Sequence, residues 1–183
     1  MRFGVVQFPG SCDHHDALDA ARRVGDAQLL WHGDHSLIGV DAVIVPGGFS
    51  YGDYLRVGAI ARFSPLMESV IAFANDGGPV LGICNGFQVL CEAHLLPGAL
   101  LPNTSLRFVC RQVGVDVVGD SAWTQSGAKL SIPVKHTTGR YFAPDLDPAH
   151  VVFRYAADQN PNGSQDDIAG VRNEAGNVVG LMP

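Results

Sequence analysis

Cys84 stands between Gly82 and Gly86 in the run Gly-Ile-Cys-Asn-Gly, straight after the apolar stretch PVLGI and straight before NGFQVLCEAH. A nucleophile with small residues two places before and after it fits a strained strand-to-helix turn. The glycines let strand and helix approach, and the side chain is left exposed at the top. The first amides of the following helix have no intrahelical acceptors, and their partial positive charge favours a thiolate. Cys84 is therefore expected to be the most reactive of the four cysteines. Cys91 falls two helical turns later and reads as core. Cys12 could face the same rim, but it reads as a loop thiol ahead of a helix-capping Asp13. None of the four forms a C-x-x-C pair or a metal-ligand spacing with histidine, so no metal is expected.

A second cluster could serve the same chemistry. Pro46-Gly47-Gly48 closes the apolar run DAVIVP, and glycines at a strand end can aim backbone N–H groups at a developing negative charge. With the N–H of Asn85, next to the nucleophile, Gly47 and Gly48 would complete an oxyanion hole.

The elements that must position these residues follow from the apolar pattern. FGVVQF, DAVIVP and PVLGIC read as strands. About 13–24, 55–75 and NGFQVLCEAH read as helices between and after them. Short continuous apolar runs separated by helices imply a mostly parallel sheet buried on both faces, with ligands gathering at the carboxyl ends of its strands. After Pro102 the pattern turns to strands: LRFVCRQVGVDVV, KLSIPVKH, VVFRYA, IAGVRN and NVVGLMP, with turn residues such as Asn-Pro-Asn-Gly at 160–163. This reads as a β-rich half or antiparallel edge on the same sheet. The 183 residues fit a single α/β domain. The sequence is 46% hydrophobic and 16% charged, with net charge −6. It has no basic cluster for nucleic acid, no long apolar run for a membrane and no signal-peptide pattern, and it reads as cytoplasmic.

GICNGFQ, PGGFSYGDYLRVGAIAR, the opening VVQFPGSC and the late NPNGS…IAGVRNEAGNVVGLMP together resemble the glutaminase subunits of phosphoribosylformylglycinamidine synthase. Those subunits are class I glutamine amidotransferases of purine biosynthesis, and the likeness runs in order along nearly the whole chain. The resemblance implies a flavodoxin-like sheet and a Cys84 thioester that turns glutamine into glutamate and ammonia. It implies an oxyanion held by the Gly48 and Asn85 amides, and a glutamine contact at Gln88. It also implies a large synthetase partner that receives the ammonia and binds ATP and Mg, with a small accessory subunit possible; no cofactor is expected in this chain.

In that family a His-Pro-Glu run, carrying the base and the acid that orients it, follows GLMP directly, and a last helix follows that run. Here Pro183 is the final residue. The expectation is thus one amidotransferase domain over 1–183, truncated at its C-terminus and impaired in this form. The alternative is a non-catalytic subunit that keeps the fold and the partner surface. His136 and Tyr141, in PVKHTTGRY, fall where the family carries a rim segment, often with Gly-Glu-Gly before Arg-Tyr, here replaced in part by Thr137-Thr138; of the seven histidines His136 is the best substitute base, but it reads as a polar rim or core histidine ahead of a base. Tyr51, Tyr54 and Arg56 are expected at the rim or on the docking face.

Overall fold

The computed structural model describes all 183 residues. Along the chain run β1 (Arg2–Gln7), α1 (His14–Arg22), β2 (Asp26–Trp31), β3 (Ala42–Val45), α2 (Pro65–Asn75), β4 (Val80–Ile83) and α3 (Asn85–Glu92). They are followed by β5 (Ala99–Leu101), β6 (Val109–Val117), β7 (Lys129–His136), β8 (Arg140–Phe142), β9 (Val151–Tyr155), β10 (Ile168–Arg172) and β11 (Val178–Leu181). Nine strands form one sheet in the order β2-β1-β3-β4-β11-β10-β9-β6-β7, and β5 pairs with β8 apart from it. The first five are parallel neighbours, and from β11 through β10 and β9 to β6 and β7 the pairing is antiparallel. The expected mixed sheet, with the β-rich half extending one edge, is the architecture found.

Alternation along the strands divides the core between the two faces. In β3, Val43 and Val45 join the cluster beneath α2 and α3, while Ala42 and Ile44 join Leu18 and Ala21 of α1 on the opposite face. Helices thus cover both faces of the parallel half. Pro133 lies in β7, an edge strand, where its missing N–H removes no ladder bond from a central strand.

Two expectations need correction. The helix expected over 55–75 begins only at Pro65. Leu55 and Gly58 have positive φ (69° and 76°), Ser64 is extended as the N-cap, and Pro65 occupies the first helical turn. Residues 50–64 instead form a loop with two short 3₁₀ turns. The strand β2, DAQLLW, was not anticipated; it is held by six parallel pairs to β1.

Candidate active site

The ends of β3, β4, β7 and β11 and the N-terminal ends of α1 and α3 build the site. Cys84 links β4 to α3 with φ 52° and ψ −106°, a backbone region that costs a non-glycine residue of order 1–3 kcal/mol. The surrounding structure enforces it. The Cys84 N–H donates to the Leu181 carbonyl at 2.9 Å, tying the turn to β11, and the Gln88 N–H donates to the Cys84 carbonyl at 3.2 Å to open α3. Both flanking glycines are steric necessities. A Cβ on Gly86 would collide with the Val45 carbonyl of β3, and one on Gly82 would lie 2.8 Å from the Gly86 backbone.

The loop after β3 lies against this turn. A Cβ on Gly47 would run into the Asp13 carboxylate and lie 3.6 Å from the Cys84 Cβ. Gly48 adopts φ 149° and packs on the backbone of Gly10, Ser11 and Cys12, which leaves no room for a side chain. The Ser50 N–H donates to Asn85 Oδ1 at 3.0 Å, Asn85 Nδ2 donates to Gln88 Oε1 at 2.8 Å, and Gln88 Nε2 donates to the Thr138 carbonyl at 2.7 Å. Asn85 and Gln88 are buried, so the expected oxyanion loop, nucleophile helix and Gln88 are joined by one hydrogen-bonded path.

The thiol lies on a pocket of about 300 Å³ whose wall includes Asp13, Asp16, Ile132, Lys135, Met182 and Pro183. Cys84 Sγ is 3.9 Å from the Lys135 carbonyl. Lys135 Nζ donates to Asp13 Oδ1 at 2.6 Å across the mouth, and this ion pair holds the Lys135 ammonium above its usual pKa. Asp13 is therefore at the N-cap position of α1 without capping it by its side chain. Neither Lys135 nor Asp13 as an ion pair was foreseen. They are 122 positions apart, and only the sheet topology brings them together.

Burial pushes the Cys84 thiol up to about 12; the Asn85 amide and Lys135 pull it down, while Asp13 and Asp53 push it further up. The helix-terminus effect anticipated from the sequence is present, but desolvation exceeds it. The thiolate expected from position alone is thus not the resting state. Cys91 is buried in the core as expected, and Cys12 is exposed in the loop beside Gly47.

His136 and Tyr141 are not at the rim. The alternation of β7 turns Lys135 toward the pocket and His136 inward, where its ring packs under Gly139 with Nε2 3.4 Å from Asn162 Nδ2. Burial lowers its pKa to about 4, and no histidine lines the Cys84 pocket. Tyr141 is a core residue, stacked on Phe87 at 5.6 Å with its hydroxyl donating to the Pro97 carbonyl at 2.8 Å. Of the expected docking residues, Tyr54 is exposed, Tyr51 turns inward to His32 Nδ1 at 2.6 Å, and Arg56 forms a bidentate pair with Glu92 at 2.6 Å.

The sequence matches the CobB/CobQ-like glutamine amidotransferase domain over residues 1–183. It is 59% identical to the phosphoribosylformylglycinamidine synthase subunit PurQ of Rubrobacter xylanophilus, covering 100% of this chain and 87% of that protein. It is 58% identical to the subunit of the same name from Mycobacterium bovis, covering 100% and 85%. Among solved structures, that of PurLQS from Thermotoga maritima superposes with TM-score 0.90 at 42% identity, covering 100% of this chain and 86% of that one. A putative GMP synthase subunit from Thermoplasma acidophilum shares the fold, with TM-score 0.67 at 16% identity.

Proposed function

The chain belongs to the CobB/CobQ-like glutamine amidotransferase family, and from that membership we propose that it is the glutaminase subunit of a phosphoribosylformylglycinamidine synthase. The observation that carries the reading is the Cys84 turn: a nucleophile held at positive φ between two glycines that no larger residue could replace, facing the Gly47-Gly48 loop. In the proposed reaction Cys84 Sγ bonds to the side-chain amide carbon of glutamine, and the carbonyl electrons move onto oxygen. The Gly48 and Asn85 amides hold that oxyanion. When the C–N bond breaks, the nitrogen takes a proton and leaves as ammonia, and the acyl group remains as a thioester. Water then attacks the thioester, glutamate leaves and the thiol regains its proton.

A thiol near 12 needs a base to take its proton. The in-register pairing of Leu181 with Ile83 places Met182 and Pro183 on the wall of the Cys84 pocket. In a chain that continues with His-Pro-Glu after Gly-Leu-Met-Pro, the imidazole and its carboxylate would enter beside the thiol. His136, by contrast, is buried and does not line the pocket. The whole of 1–183 is then one amidotransferase domain. The likeness to the named synthase subunits favours this reading over that of a non-catalytic subunit, and the strained turn and the glycine loop are both intact.

Ammonia is a nucleophile only while unprotonated, so it passes directly to a large synthetase subunit that binds ATP, Mg and formylglycinamide ribonucleotide. We propose that a small accessory subunit joins the assembly; the Thermotoga maritima structure that superposes on this chain is that of PurLQS. No helix is long and apolar enough to cross a membrane, and we place the subunit in the cytoplasm with its partner. The test is an acid quench of the working complex during glutamine turnover. A glutamyl adduct on the Cys84 peptide is expected, and its absence during active glutamate release would refute a Cys84 thioester.

A further inference from the structure

Behind the wall of the site lies a buried polar layer that the hydrolysis does not itself use. Asn103 and Asn162 are completely buried, and a buried amide is stable only with its donors and acceptors satisfied. Both direct some of these bonds at the turn at residues 137–139 between β7 and β8, while Asn103 Nδ2 also donates to the Arg107 carbonyl at 2.9 Å. Asn103 Oδ1 accepts from the Gly139 N–H at 3.0 Å, its Nδ2 donates to the His136 carbonyl at 3.0 Å, and its N–H donates to the Thr137 carbonyl at 2.8 Å. Asn162 Nδ2 donates to the Gly139 carbonyl at 2.8 Å and to the Tyr155 hydroxyl at 3.1 Å, while its Oδ1 accepts from the Ser164 N–H at 3.0 Å and hydroxyl at 2.7 Å.

The other side of the same turn faces the site. Its Thr138 carbonyl is the acceptor for Gln88, and from Gln88 the bonds pass through Asn85 to the Ser50 amide of the oxyanion loop. A turn held by its own backbone alone would be free to shift against Gln88. Here it is fixed from beneath by two side chains from distant segments, one of them in the Asn-Pro-Asn-Gly run at 160–163.

We propose that Asn103 and Asn162 are positioning residues for the glutaminase: they hold the Thr138 carbonyl in place, and through it the side chain of Gln88 and the seat of the oxyanion loop. This rests on the glutaminase reading of the Cys84 site. They touch neither the thiol nor glutamine. Their effect is on where glutamine is held, and misplacement of about 1 Å can cost on the order of a hundredfold in rate.

The experiment is a double-mutant cycle on the full protein bound to its synthetase, reading glutamate release. Asn162→Ala is expected to lower kcat/KM for glutamine by about tenfold to a hundredfold. Combined with Gln88→Ala it should add less than about twofold, because residues on one path do not act independently. Asn103→Ala should give the same signature. Alkylation of Cys84 by iodoacetamide at mildly alkaline pH needs no glutamine placement and should stay within about twofold of the parent in every variant. Multiplicative losses in the double variants, or a parallel loss of iodoacetamide reactivity, would show a general structural role and overturn the proposal. Where Asn162→Ala does not accumulate as folded protein, Asn103→Ser is read in the same cycle with the same two outcomes. Absence of glutamate release from the parent complex would instead overturn the glutaminase reading.

Discussion

At Cys84, placement and protonation pull in opposite directions. The strained turn presents the sulfur beside the Asn85 amide, yet burial holds the thiol near 12. Without glutamine bound, Cys84 should therefore alkylate with iodoacetamide more slowly at neutral pH than exposed Cys12 and Cys110. Its rate should climb about tenfold per pH unit through the alkaline range, since the thiolate is the reactive form. Peptide mapping across pH reads this directly, and labelling of Cys84 first at neutral pH would contradict it. His136 gives the complementary case. Its folded pKa, about 4, lies below the ordinary 6.5, so the unfolded chain binds the proton more readily between those values. The neutral, buried ring contributes stability that is complete above pH 6.5 and is lost as pH falls through 4, about 3 kcal/mol at most. Denaturant titrations should show that loss, and His136→Gln should flatten it; an unchanged slope in the variant would place the acid sensitivity elsewhere.

Among the elements, the β4–α3 turn was the most legible in the sequence because its glycines have one steric explanation. Gly86→Ala should destabilise the protein by more than about 2 kcal/mol, as its Cβ would collide with backbone that cannot move without β3. A shift in thermal midpoint within error of zero would refute the close approach. The segment after Gly48 was the least legible. Its apolar residues fit a helical period, but glycines at 52 and 58 and Pro65 break it, and the loop leaves Tyr54, Leu55 and Phe63 exposed next to the oxyanion strand. Arg56 fastens this loop to Glu92 at the end of α3. A loop that presents large apolar side chains beside the ammonia source suits the synthetase contact. Leu55→Asp should weaken assembly of the complex by about tenfold or more while glutaminase folding is unchanged. Equal affinity of the variant in a titration with the synthetase would exclude the loop as a docking element. Local spacing left His136 open between rim and core and put Tyr141 at the rim; their inward direction is set by pairing with β6 and β5 and by burial that no spacing encodes.

Across the whole molecule, the alternation of apolar runs and helices was enough to put Cys84 and Gly47-Gly48 each at a strand end, and the parallel pairing of β3 with β4 makes those ends neighbours. It was not enough to bring Lys135 to Asp13 or Asn162 to Gly139. Those contacts depend on how the antiparallel half folds back, with β11 inserted beside β4 and β7 at the far edge. Pattern identifies strands, whereas strand order decides which distant side chains meet. On the proposed function the molecule makes ammonia at Cys84 and passes it to a second subunit, so the two nitrogen sources separate its parts. The measurement is synthesis of formylglycinamidine ribonucleotide by the assembled complex, with glutamine or with ammonium salt as nitrogen donor, for the parent protein and Cys84→Ser. Loss of glutamine-dependent synthesis by at least about a thousandfold, with ammonia-dependent synthesis unchanged, is the predicted result. Glutamine-dependent synthesis that survives in Cys84→Ser would contradict the account.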